Sequence, residues 1–95
     1  MNFAGQSLTL HDASGHVVDS GCRASSIGVV LKSALTGSLT IVGIVDSAGS
    51  PVSWVINSGS SGFQGAPGAG GNLVAYSLSN AAADADKAVI FWRNA

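Results

Sequence analysis

The residues with the greatest capacity for chemistry lie near the N-terminus. His11, Asp12, His16, Asp19 and Cys22 fall within one short stretch. A Cys-His-Asp set can activate a thiol nucleophile, and two imidazoles with a carboxylate suit Zn²⁺ or Ni²⁺. These residues are separated by turn signals and lack a recognisable ligand spacing. We therefore expect no catalytic residue, no metal and no cofactor here, with both histidines in exposed turns or at a subunit contact.

Three further groups of residues contain side chains that could bind a ligand. Asp84 and Asp86 offer oxygens to Ca²⁺, but their loop lacks the other ligands and the glycine of an EF-hand, so a solvated turn is expected. The glycine-rich stretch 57–72 lacks the Gly-Lys-Ser/Thr ending of a phosphate-binding loop. A sugar-stacking platform is the alternative function, and its aromatic candidates are Trp54, Tyr76 and Trp92. Each of them is more typical of a core or an interface.

The elements that would position these groups are short strands. The stretch 35–56 predicts two strands joined by a turn, because Val and Ile dominate it on both sides of a Gly-Ser-Pro break. The stretch 7–20 predicts a smaller hairpin. Six or seven strands in all, separated by turn signals, indicate an all-β chain. We predict a single domain over residues 1–95, a small antiparallel β-sandwich or jelly roll.

Two predicted strands, 39–45 and 87–93, carry apolar residues on both faces. In an antiparallel sandwich the outer face of each sheet is normally polar. We therefore expect the second apolar face of these strands to be covered as well. Contacts between subunits or within the core are therefore predicted for Val42, Ile44, Phe91 and Trp92, and contact with a larger partner surface is predicted for Phe63. Phe63 lies in the stretch 57–72, where glycine recurs every third residue. This stretch is either a surface loop or an extended arm that contacts a neighbour.

Composition limits the possible partners. Charged residues make up 9% of the 95-residue chain, against about 25% in typical soluble domains. Four scattered bases and a net charge of −1 give no basis for binding nucleic acid. No apolar run reaches the length of a membrane helix, and the N-terminus has no signal-peptide pattern, so we expect neither membrane insertion nor export. The single cysteine, Cys22, excludes an internal disulfide and is expected to be a buried thiol or, alternatively, an intersubunit disulfide.

The chain resembles the small β-rich virion proteins of tailed bacteriophages, the capsid-decoration and head-fibre type. The features that carry the resemblance are the stretches 37–45, 49–54 and 86–93. The resemblance implies a non-enzymatic structural protein of the virion, assembled in the host cytoplasm. It also implies a homotrimer that cements or decorates a capsid or tail surface through the major capsid protein or another virion protein. No cofactor and no binding residue follow from it.

Overall fold

Alternating apolar and polar side chains build two four-stranded antiparallel sheets that face each other. The computed structural model describes residues 6–18, 24–45, 48–67 and 74–94. The elements within these residues, in chain order, are β1 (Gln6–Thr9), β2 (Ser14–Val18), β3 (Ala24–Leu31), β4 (Leu39–Val45), β5 (Pro51–Ile56), β6 (Gly62–Gly65), β7 (Val74–Leu78), α1 (Ala81–Asp84) and β8 (Ala88–Asn94). The predicted all-β antiparallel class is confirmed, with eight strands in place of six or seven.

The order of the strands is that of a jelly roll. One sheet runs β1-β8-β3-β6 and the other β2-β7-β4-β5, and every described pair is antiparallel. The predicted hairpin at 35–56 is confirmed as β4 and β5, which pair within one sheet. The predicted hairpin at 7–20 is wrong, because β1 and β2 lie at the edges of different sheets. A jelly roll sends most of its connections from one sheet to the other.

The core lies between the sheets and is made mainly by the inward-facing side chains of the strands, with Leu10 and Leu35 added from the connections. Its buried side chains are Leu10, Ile27, Val29, Leu31, Leu35, Leu39, Ile41, Ile44, Ile56, Val74, Tyr76, Leu78, Ala88, Ile90 and Trp92. Burial of this apolar surface is the main favourable term in the stability of the fold.

A β-bulge in β4 decides which residues of that strand enter the core. The register with β5 shifts between Ile41 and Ile44, and Gly43 there has φ of 91°. That backbone conformation is accessible to glycine at little cost. The bulge places Ile44 on the inner face with Ile41, so β4 is not apolar on both faces to the extent predicted.

Candidate interaction surface

The largest exposed apolar side chain among the described residues lies on the outer face of the sheet β1-β8-β3-β6. Phe63 of β6 is 66% exposed and Val30 of β3 is 40% exposed. Val30 is in register with Phe63 on one side and with Val89 of β8 on the other. The ring of Phe91 completes the group, with its centroid 5.6 Å from that of Phe63. We refer to Val30, Phe63, Val89 and Phe91 as the phenylalanine face.

Two glycines give the phenylalanine face its shape. Gly28 and Gly65 are in register with each other, and Gly28 is also in register with Phe91. A Cβ at Gly28 would lie 2.5 Å from Cζ of Phe91. The Phe91 ring therefore lies directly against the Gly28 backbone and is half-buried. Phe63 is more exposed than Phe91, and a Cβ at Gly65 would lie at an ordinary contact distance of 3.7 Å from its ring.

A second apolar area lies on the outer face of the other sheet. Val42 of β4 is 42% exposed and Val55 of β5 is 51% exposed. Small side chains lie beside them, because Thr40 is in register with both Val55 and Ser77, and Val42 is in register with Ala75. Beyond Ala75 lies the exposed His16 of β2. We refer to Thr40, Val42, Val55, Ala75 and Ser77 as the valine face.

The structure divides the five predicted contact residues into two groups. Val42, Phe63 and Phe91 point outward, and their role in contacts stays a prediction. Ile44 and Trp92 are buried in the core, which is the second of the two roles predicted for them. For Ile44 the reason is the bulge at Gly43, which interrupts the alternation. For Trp92 the alternation along β8 holds, but sequence does not reveal which of two apolar faces points inward.

The aromatic residues of the alternative sugar-binding function do not form a platform. Tyr76 and Trp92 are buried, and Trp54 is partly buried against the core. Stacking on a sugar requires exposed ring faces. The pKa of the Tyr76 hydroxyl is raised, first by burial and then by the negative charge of Asp12, while a backbone hydrogen bond at Asp12 acts in the opposite direction.

The N-terminal histidines and acids do not converge. His11 makes its contact through Nδ1 with a carboxylate oxygen of Asp86, and both side chains are exposed. His16 lies on β2, in register with Ala75. Asp19 and Cys22 fall outside the described residues, so the predictions for them are not addressed. Among residues 6–18, 24–45, 48–67 and 74–94 no group of three or more His, Cys, Asp or Glu side chains is placed to hold a metal ion.

Asp84 is fully buried, and the predicted solvated turn is therefore wrong at this position. Its two carboxylate oxygens accept from the backbone N–H groups of Thr36 and Gly37, each at 2.8 Å, and Lys87 Nζ lies 3.3 Å from Oδ1. Burial alone acts to raise the pKa of Asp84, but these two N–H groups and the Lys87 charge outweigh burial and lower that pKa. Asp84 thus ties the β3–β4 loop to the β7–β8 loop.

Lys87 strengthens the same junction. Its ammonium also donates to the carbonyl of Ala34 at 3.1 Å, and the Lys32 N–H donates to the Lys87 carbonyl at 2.8 Å. Every hydrogen-bonding atom of the Asp84 carboxylate thus has a partner from the protein itself. A buried charge is tolerated when it is paired and hydrogen-bonded, and Asp84 meets both conditions. Asp84 is therefore part of the scaffold, and we assign no ligand to it.

The glycine-rich stretch is only partly a loop. Residues 62–65 form β6 and pair with β3, so this part of the predicted loop or arm is a strand of the sheet. Residues 68–73 fall outside the described residues.

No helix in the described part of the chain is long and apolar enough to cross a membrane.

Comparison with known proteins identifies the fold. No protein-family model matches the chain, and no curated protein matches it in sequence. Among solved structures the chain is similar to the Drosophila NLP core, whose crystal structure was reported for its insight into pentamer formation and histone binding. The two share 15% identity and a TM-score of 0.54, and the match covers 100% of this chain and 99% of that one. At this identity the likeness establishes the shared fold.

This similarity overturns the predicted kinship with phage virion proteins. The matched structure belongs to a pentamer-forming, histone-binding protein of Drosophila and not to a virion component. The predictions of capsid decoration, of a capsid partner and of location in the virion are therefore wrong. Short Val-rich strands, glycine and low charge are features that β-sandwiches of many functions share, so they identify the fold and not the partner. The chain is a jelly roll similar in fold to the Drosophila NLP core.

Proposed function

We propose that this chain is a non-enzymatic assembly module, a jelly roll that associates with further copies of itself through its exposed apolar surface. The observation that carries the proposal is Phe63, which is 66% exposed and lies against Phe91 and beside Val30. A contiguous apolar patch of this kind is typical of a protein interaction site. The low charge of the chain favours the same interpretation, since a free monomer usually stays soluble through surface charge.

The number of subunits is the finer part of the proposal. The resemblance to virion proteins implied a trimer, whereas the Drosophila protein of similar fold is described as forming a pentamer. Five copies are therefore the first arrangement to test for this chain, and three copies the second.

Histone binding is not part of the proposal. A basic protein is attracted by clustered acids, and the chain has five acidic residues in total. Asp84 is buried, and Asp86 is in contact with His11. Among the described residues this leaves Asp12 as an exposed carboxylate outside these contacts. We likewise propose no nucleic-acid partner and no catalytic activity.

The experiment is a comparison of solution mass by light scattering after size exclusion, with two variants that add the same charge. Phe63→Asp places a carboxylate in the phenylalanine face, whereas Ser58→Asp places one at an exposed position in the β5–β6 turn. We expect wild type and Ser58→Asp to assemble, and Phe63→Asp to elute at the 9.4 kDa mass of one chain. Assembly of Phe63→Asp to the wild-type mass would refute the proposal.

A further inference from the structure

We infer that the subunits associate head to tail, with the phenylalanine face of one copy packed on the valine face of the next. The inference rests on the proposed self-association and specifies its geometry. The two faces belong to different sheets of the same sandwich, and both are exposed in a single copy.

Symmetry limits the kinds of contact between copies that can cover both faces. In a two-fold contact the same patch meets itself, so a dimer through the phenylalanine face would leave Val42 and Val55 exposed. A dimer through the valine face would leave Phe63 exposed. A head-to-tail contact covers both faces with a single kind of interface, and it generates a ring if the rotation between copies closes, or a filament if it does not.

The shapes of the two faces are complementary. The phenylalanine face presents a projecting ring, since Phe63 is two-thirds exposed at the edge strand β6. The valine face presents small side chains, with Thr40, Ala75 and Ser77 adjacent to its two valines. A ring seated over small residues can approach the sheet closely, and interfaces of this kind favour an aromatic anchor in a fitted site.

Charge favours the same arrangement. Lys32 is exposed and directly follows β3, at one end of the phenylalanine face. A two-fold contact through this face with the β3 strands parallel would bring two Lys32 ammonium groups together, which is unfavourable. The five residues of the valine face are uncharged, so a head-to-tail contact avoids this repulsion.

The test uses one variant for each face. Phe63→Asp disables the phenylalanine face and leaves the valine face intact, whereas Val55→Asp does the reverse. Head-to-tail association requires both faces, so each variant should raise the dissociation constant of self-association at least tenfold. A two-fold contact through the phenylalanine face would leave Val55→Asp assembled as wild type, and that result would overturn the inference.

Mixing the two variants gives the decisive readout. Isotope-labelled Phe63→Asp is observed by NMR while unlabelled Val55→Asp is added at high concentration. The one intact contact should shift amide signals of β4, β5 and β7 in the labelled chain, and added unlabelled Phe63→Asp should shift none of them. The spectrum of each variant also reports whether it is folded.

The outcomes separate this inference from the proposed function. If wild type assembles but the mixed variants show no shifts, the head-to-tail geometry is wrong and self-association stands. Shifts on the phenylalanine face when Val55→Asp is titrated with itself would also overturn the head-to-tail geometry. A wild type that stays monomeric would overturn both proposals.

Discussion

Replacement of Asp84 by Asn should destabilise the fold far more than the same replacement at Asp86. Asp84 accepts two backbone N–H groups and faces Lys87, whereas Asp86 is exposed two residues later. Asn at position 84 keeps one acceptor oxygen but turns an NH₂ donor toward one of the two N–H groups. It also removes the charge that Lys87 faces.

The expected magnitude follows from the groups that lose their partner. A donor left without an acceptor costs about 1–3 kcal/mol, and loss of one member of a buried ion pair costs about 3–5 kcal/mol. The side chain of Lys87 is 26% exposed, so water replaces part of its lost contact. We therefore expect Asp84→Asn to lower the free energy of unfolding by about 2–4 kcal/mol. For a domain of this size that loss corresponds to a fall in Tm of at least about 8 °C.

The assay is thermal unfolding followed by circular dichroism at one fixed protein concentration, since association itself raises Tm. Asp86→Asn is the matched control because it removes the same charge from the same loop at an exposed site. Asn also tolerates the φ of 68° found at Asp86. The control should change stability by less than about 1 kcal/mol. Equal Tm values for the two variants would refute the structural role assigned to Asp84.

The same contacts predict a dependence of stability on pH. Because the pKa of Asp84 is lowered in the folded protein, its contribution is present above the unfolded value of 3.8 and is lost as the pH falls through the folded value. Stability of the wild type should therefore decrease below about pH 4. Asp84→Asn should show a flatter decrease over that range.

Two further predictions concern the phenylalanine face and the core. Gly28→Ala should displace the Phe91 ring and cost about 1–3 kcal/mol in chemical unfolding, while Gly65→Ala, whose Cβ has room, should be tolerated. Equal stability of the two variants would contradict this packing. Tyr76 is the sole tyrosine, so ultraviolet absorbance should follow its ionisation directly, with a midpoint above the ordinary 10.0. Stability should fall as the pH rises from about 10 through that higher folded pKa, and Asp12→Asn should lower the midpoint.

The regular alternation of side chains was sufficient to predict the class of the fold and much of its core. Ile27, Val29 and Leu31 alternate along β3 with mostly less apolar neighbours, and the structure buries all three. The two-sided apolar character of β8 also holds, since Ile90 and Trp92 point inward while Val89 and Phe91 point outward. Period-two alternation is a strong signal in an antiparallel sandwich because half of each strand faces the core.

Local backbone features caused the errors within strands. Ile44 was placed on the outer face because strict alternation continues through Gly43, whereas a bulge there moves it inward. A glycine inside a strand pattern is itself a signal for a bulge. The strand at Gly62–Gly65 was missed because its glycines resembled a loop. Its register with β3, and the ring contact of Phe63 with Phe91, depend on residues distant in sequence.

Long-range contacts caused the remaining errors. Asp84 resembles a solvated turn residue in its local sequence, but its N–H donors lie 47 and 48 positions away. Function was the least predictable property. Low charge and exposed apolar residues indicate association, and they are compatible with many partners. The phage interpretation was wrong because it added a particular partner to these general features.

The most direct test of self-association is the mass of the wild-type chain by sedimentation equilibrium across the micromolar range. We expect an assembly several times the 9.4 kDa chain mass that dissociates on dilution. The phenylalanine and valine faces would then be the first places to look for its contacts. A single species at 9.4 kDa at every concentration would contradict the account and would mean that both apolar faces remain exposed to solvent.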